Sequence, residues 1–150
     1  MREILFRGKQ VSDGEWIEGY VFPQVIDGGY APLCITTEPI CANDYSEILG
    51  DWAIVDSSTV GQYTGLTDKN GKKIFEGDIL KIVHKYQSPF DDDTKEYTDI
   101  TTDVVFFDDE GLCFSYGESP FLFVADNVTA EYEVIGNIYD DNLEELANGR

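Results

Sequence analysis

The segment GQYTGLTDKNGKKIFEGDILKI, residues 61–82, gathers the residue types from which phosphate loops, cation loops and nucleic-acid grips are built. Gly61, Gly65, Gly71 and Gly77 are interspersed with Lys69, Lys72, Lys73 and Lys81 and with the oxygen-bearing Asp68, Asn70, Glu76 and Asp78. A P-loop needs a glycine-rich turn ending in Gly-Lys-Ser/Thr between a strand and a helix. Here Gly71-Lys72 is followed by Lys73, Ile74 and Phe75, so the hydroxyl is missing and the flanking residues favour strand over helix. A calcium loop places oxygens at alternate positions, glycine at the sixth and glutamate at the twelfth. Counting from Asp68, lysines stand at the fifth and sixth positions. The residues do fit turn chemistry. Asn70-Gly71 suits a two-residue type I′ hairpin, whose central residues both need positive φ, and Glu76-Gly77 suits a second tight turn into ILKIVHKY. The lysines then form the solvated side of that hairpin.

Other chemistry-bearing groups reduce to ordinary structure in the same way. Carboxylate pairs at Asp91–Asp93, Asp108–Glu110 and Asp140–Asp141 have the oxygens for a hard cation. Each lies in or beside a predicted turn, where Asp is common because it accepts from nearby backbone N–H groups. His84, the sole histidine, falls inside ILKIVHKY, which itself holds no Ser, Cys or Asp, so no triad can be assembled from that strand. Cys34, Cys41 and Cys113 are odd in number and follow no CxxC spacing, which indicates neither a disulfide framework nor a zinc site. Trp16, Trp52, Tyr20, Tyr63 and Tyr86 would make a base-stacking platform only beside a basic groove. Core aromatics are the simpler reading. No catalytic, cofactor-binding or metal-binding residue is nominated, and neither enzyme activity nor a cofactor is expected.

Charge is the strongest compositional signal. Thirty acidic residues face ten basic ones, for a net −20. Residues 1–90 carry 13 acids and 8 bases (−5), and residues 91–150 carry 17 acids and 2 bases (−15). Such a field repels phosphate backbones and anionic membranes and favours a basic protein partner. Direct nucleic-acid binding and membrane association are therefore not expected, and self-association is left open. Crowding of so many carboxylates also predicts raised pKa values and a gain in stability on mild acidification. A second reading takes the acids as a phosphate-like track. Glu131 and Glu133, two apart on a strand, would repeat at about 6.6 Å, making the chain an acidic DNA mimic. A metal-dependent hydrolase ranks third.

With 42% hydrophobic and 13% aromatic residues over 150 positions, the chain is a folded globular protein of about one domain. No apolar run approaches the roughly 18 residues of a membrane span. MREILFRGKQ has no apolar core of a secretory signal, so a cytoplasmic location is expected. Strand signals recur at REILFRG, DGEWIEGYVF, Trp52–Val55, ILKIVHKY, the hairpin DVVFFDDEGLCFSY with Gly111 at its turn, and EYEVIGNIY. QSPFDDDTKEYTDITT (87–102) reads as an exposed loop. In DDNLEELANG, Asp141 or Asn142 can cap a helix, Glu144 and Glu145 suit its first turn, and Gly149 ends it. The pattern predicts a mainly β barrel or sandwich, with residues 61–139 as a small antiparallel barrel. Its expected core is Ile79, Ile82, Val104, Phe106, Leu112, Phe114, Val134 and Ile138.

The block VGQYTGLTDKNGKKIFEGDIL, together with MREILFRGK, GEWIEGYV and YEVIGNIYDDN, resembles the YopX family, small proteins found mostly in phages and prophages. These blocks stand at the start, middle and end of the chain, and SPFDDDTKEYTDITTD departs from the usual pattern. The resemblance implies a mainly β fold with a small SH3-like barrel in the second half. In that arrangement residues 1–60 form a β extension packed on a 61–139 barrel, and 140–150 a short helix. It also implies phage or prophage origin, hence a bacterial host cytoplasm. The family's function is uncharacterised, so it supplies no site residues. The expected function is that of an accessory protein, a non-enzymatic protein-binding β module whose partner is a basic host or phage protein.

Overall fold

The computed structural model describes residues 3–23, 32–39, 51–87, 90, 95–109, 113–116, 121–122 and 130–149. The chain divides into two compact units, Met1–Gly65 and Leu66–Arg150. The first holds β1 (Phe6–Lys9), β2 (Trp16–Pro23), β3 (Leu33–Thr36), β4 (Trp52–Ile54), a 3-10 turn at Ser57–Thr59 and the start of β5 (Gly61–Thr67). The second holds the end of β5, β6 (Lys73–Phe75), β7 (Asp78–Gln87), β8 (Glu96–Asp108), β9 (Cys113–Tyr116), β10 (Phe121–Leu122), β11 (Ala130–Asn137) and the helix α1 (Leu143–Ala147). Among the described residues the protein is mainly β, in antiparallel sheets with one short helix. No described helix is long and apolar enough to cross a membrane.

In the first unit the strand order is β4-β3-β2-β1-β5. The sheet curls until β4 bonds back to the chain leaving β1. Val11 N–H donates to Ile54 O at 2.9 Å, Asp56 N–H donates to Lys9 O at 2.9 Å, and Gln10 stands opposite Val55. Inside the curl lie Ile17, Ile35 and Val55, with Phe6, Val21, Leu33, Ala53 and Val60 packed around them. Asp56 then caps the 3-10 turn, its Oδ1 accepting from Ser58 N at 3.0 Å and from the Ser58 hydroxyl at 2.7 Å. At Gly19, a Cβ would meet Thr36 O at 1.9 Å, so glycine lets β2 lie against the end of β3.

The second unit has the order β10-β9-β8-β7-β11. Leu80 and Ile82 of β7 alternate onto one face and pack with Ile74, Val105, Tyr116, Ala130 and Tyr132, with Leu66 and Val134 at the margin. Ile74, Leu80 and Ile82 are fully buried, each worth roughly 1.5–3 kcal/mol of transfer free energy. Among the described residues this sheet is open, and no closed barrel of the expected SH3-like kind is found. Closure would bring the two end strands together, but β11 pairs with β7, not with β10. The far side of β11 is met by a turn at Asp68–Lys69.

Four further expectations change in detail. Ile79, Ile82 and Phe114 are buried, and Val104 and Val134 partly so. Phe106, however, is 37% exposed, because Val105 is the residue of β8 that faces Tyr116 in the core. Ile138 is 46% exposed, because β11 shifts register between Val134 and Gly136, and a bulge turns every later side chain to the other face. The segment 87–102 is not all loop: Glu96–Thr102 pairs with Lys81–Gln87 in a long ribbon. The Asn-Gly turn is not a two-residue hairpin either. Gly71 N–H donates to Asp68 O at 3.0 Å and Asp68 N–H to Lys72 O at 2.8 Å, so Lys69-Asn70 are the central pair and Gly71, at φ +81°, follows them. That is the three-residue loop with a left-handed glycine. The helix matches its expected signals: Asn142 Oδ1 accepts from Glu144 N at 2.9 Å. Leu112 and Gly111 lie outside the described residues.

Candidate functional site

Two acidic residues of the 61–82 segment, Asp68 and Asp78, bond to backbone N–H groups. Asp68 is buried, and its Oδ1 accepts from Asn70 N and Lys72 N, both at 2.9 Å. Its Oδ2 accepts from Val134 N at 3.0 Å, 66 residues further along the chain. Burial pushes this carboxyl up, but the N–H groups of Val134, Lys72 and Asn70, helped by the Lys72 charge, hold it below its ordinary value. Asp78, also buried, closes the next turn: its Oδ2 accepts from Phe75 N at 2.8 Å. Gly77 completes that corner by donating to Val105 O at 2.8 Å and accepting from Ile138 N at 2.9 Å. A cation or phosphate at this segment would have to displace these bonds. The segment is a pair of carboxylate-stapled turns.

The remaining sequence candidates are dispersed. Asp140 and Asp141 serve the turn before the helix, where Asp141 Oδ2 accepts from Asn137 N at 3.1 Å and Asp140 Oδ2 from Asn137 Nδ2 at 2.9 Å. Asp91–Asp93, Glu110 and Cys41 lie outside the described residues, as does the side chain of Cys113. Cys34 is fully buried in the first unit. His84 is half-buried on β7, with Ala130 opposite on one side and Asp99 on the other. Four of the candidate aromatics have local partners or a place in the core. Tyr63 is core, and Trp52 meets Phe22 edge-on at 6.2 Å. Tyr86 stacks on Tyr97 at 5.7 Å in the ribbon, and Trp16 lies under Arg7 and Lys9 at 4.8 and 5.6 Å.

Glu131 and Glu133 do share a face, since they stand opposite Val83 and Lys81 of β7. Glu133 is engaged there. Lys69 Nζ sits 3.1 Å from its carboxylate, and that contact raises the Lys69 pKa. Lys81 is its register partner, so this part of the acidic surface alternates in sign.

The concave surface of the first unit was not foreseen from sequence. An open groove of about 920 Å³ runs between the end of β1 and the β3–β4 edge. Pro32, Leu33 and Val55 line it, with Val11 and Ile54 still 66% and 38% exposed, and Lys9, Gln10, Asp56 and Ser57 are the polar groups among its walls. The groove exists because the curl joins residues 9–11 to 54–56, a pairing that no local pattern announces.

A family model described as YopX protein matches residues 6–144. The chain belongs to the YopX family. Among solved structures it is similar to the crystal structure of protein EF1440 from Enterococcus faecalis, at 24% identity and a TM-score of 0.51, covering 93% of this chain and 96% of that one. At that identity the likeness concerns the fold. A search of curated proteins finds no match. The YopX match includes the 61–82 block, whose geometry here accounts for Asp68, Gly71, Gly77 and Asp78 as turn-making residues.

Proposed function

We propose that this YopX-family chain is a non-enzymatic protein-binding module of phage or prophage origin that takes an extended basic segment of a host or phage protein. The observation that carries the reading is the open groove of the first unit, with apolar Val11 and Ile54 left exposed at its lip. Residues 1–65 carry 10 acids against 3 bases, so a basic segment with an apolar side chain as anchor matches both charge and lining. The acidic DNA mimic has less support, since Glu133 is paired with Lys69.

The test is affinity capture from prophage-bearing cells with wild type and a Val11→Asp/Ile54→Asp double variant. A specific basic protein recovered by wild type and lost with the variant is the expected result. Recovery that does not differ between the two would remove the groove from consideration.

A further inference from the structure

Strand β11 ends its sheet, and backbone groups on its far side are met by a turn instead of another strand. Val134 N–H donates to Asp68 Oδ2 at 3.0 Å, and Tyr132 O accepts from Lys69 N–H at 2.9 Å. These two residues, spaced by two, are ones that an adjoining strand would engage. Asp68 is buried, but Lys69, Asn70, Gly71 and Lys72 are all exposed. The tip of the turn meets β11 through one carboxylate contact, one main-chain bond and the surface pair of Lys69 with Glu133 at 3.1 Å, while the strands behind it are anchored by Leu66 and Ile74 in the core. Segments with exposed backbone and few contacts are drawn from the low-stability end of a structure, and an uncovered edge is a template for another strand.

We propose that β11 is a concealed strand-addition edge, latched shut by the Asp68 turn, and that its occupant is an extended basic segment of a partner protein. The charge on β11 selects the occupant. In antiparallel self-pairing centred on Tyr132, Glu131 faces Glu133 of the second copy; centred on Glu133, that residue faces itself. Like charges directly opposite destabilise a ladder, whereas a basic strand there makes opposite-charge pairs. The proposal rests on the chain being a binding module but not on the groove.

The experiment uses the full chain with Asp68→Asn, which keeps an acceptor for the turn but sets an amide against Val134 N–H. A second variant, Lys69→Pro, removes the donor to Tyr132 O at a turn position that proline favours. Amide exchange at Val134 is expected to quicken about tenfold or more in either variant, as for a lost hydrogen bond, while Leu80 and Ile82 keep their protection. A synthetic alternating Lys-Val peptide should then bind the variants about tenfold more tightly than wild type, with a Glu-Val peptide failing to bind. Unchanged exchange at Val134 overturns the latch, as does loss of protection at Leu80 in both variants. Equal binding of both peptides, binding of neither, or dimerisation of the variants overturns the basic occupant. A lost groove partner with an intact latch response would fault the groove reading alone.

Discussion

Gly19→Ala is expected to destabilise the first unit by about 2–6 kcal/mol and spare the second. The new Cβ would stand 1.9 Å from Thr36 O and 2.8 Å from its carbonyl carbon, where close C···O contacts keep about 3.3 Å. Both obstructing atoms are backbone, so no rotamer change relieves them, and the two strands must part by roughly 1.4 Å to restore that spacing. Overpacking costs about 1–3 kcal/mol. The φ of +159°, a conformation L side chains rarely adopt, adds about 1–3 kcal/mol. Against this, the 65 residues of Met1–Gly65 support a stability of roughly 3–10 kcal/mol. Trp16 and Trp52 are the chain's two tryptophans and both lie in that unit, so their fluorescence in urea follows it alone. Gly14→Ala is the control: its φ is +76° but nothing lies within 4 Å of the new methyl, and the strain alone costs about 1–2 kcal/mol. A Gly19→Ala midpoint no lower than that of Gly14→Ala would refute the reasoning.

Acid and base should each reveal a buried group. The folded pKa of Asp68 lies below 3.8, so the unfolded chain binds the proton more tightly; its contribution is complete above that value and lost as pH falls through the folded pKa. Melting temperature should therefore fall below about pH 4, and Asp68→Asn should flatten that acid limb. For Tyr132, burial and then contact with the Tyr116 hydroxyl raise the phenol's pKa. Its contribution is present below the usual value near 10 and lost as pH rises towards the folded value, so an alkaline melt should show a limb above about pH 10 that Tyr132→Phe removes. Val105→Ala should cost about 1–3 kcal/mol by denaturant unfolding, while Ile100→Thr, on the opposite face of β8 and 57% exposed, should stay within about 0.5 kcal/mol. Equal losses would show that the facing of β8 is misassigned.

Local chemistry made parts of this fold readable in advance. Asn142, Glu144, Glu145 and Gly149 announce the helix because capping depends on residues a few positions apart. Glu76-Gly77 announces a turn for the same reason. The errors arise where the deciding partner is distant. In VVFF both alternations are apolar, so only pairing with β9 shows that Val105 faces inward. The shift at Val134/Gly136 reverses Ile138, and no residue type marks it except a glycine whose Cβ would meet Asp141 Oδ2 at 2.5 Å. Glu96–Thr102 looked too polar for strand because its hold is backbone pairing to β7, not burial. The role of Asp68 depends on Val134, and the groove on residues 9–11 finding 54–56. Neither could be read locally.

The place of β7 between β8 and β11 has a consequence during synthesis. β8 follows β7 closely and can pair with it at once, but β11 is made only after β8, β9 and β10. From Gln87 to Asn137 the ribosome adds 50 residues, which takes roughly 3–10 s at ordinary elongation rates. Through that interval the nascent chain carries Leu80 and Ile82 on a strand with one ladder unmade, and Asp68 without the Val134 amide it will accept from. Chaperone demand should concentrate in this window, and chains stalled before Ala130 should aggregate more readily than chains stalled after Asn137.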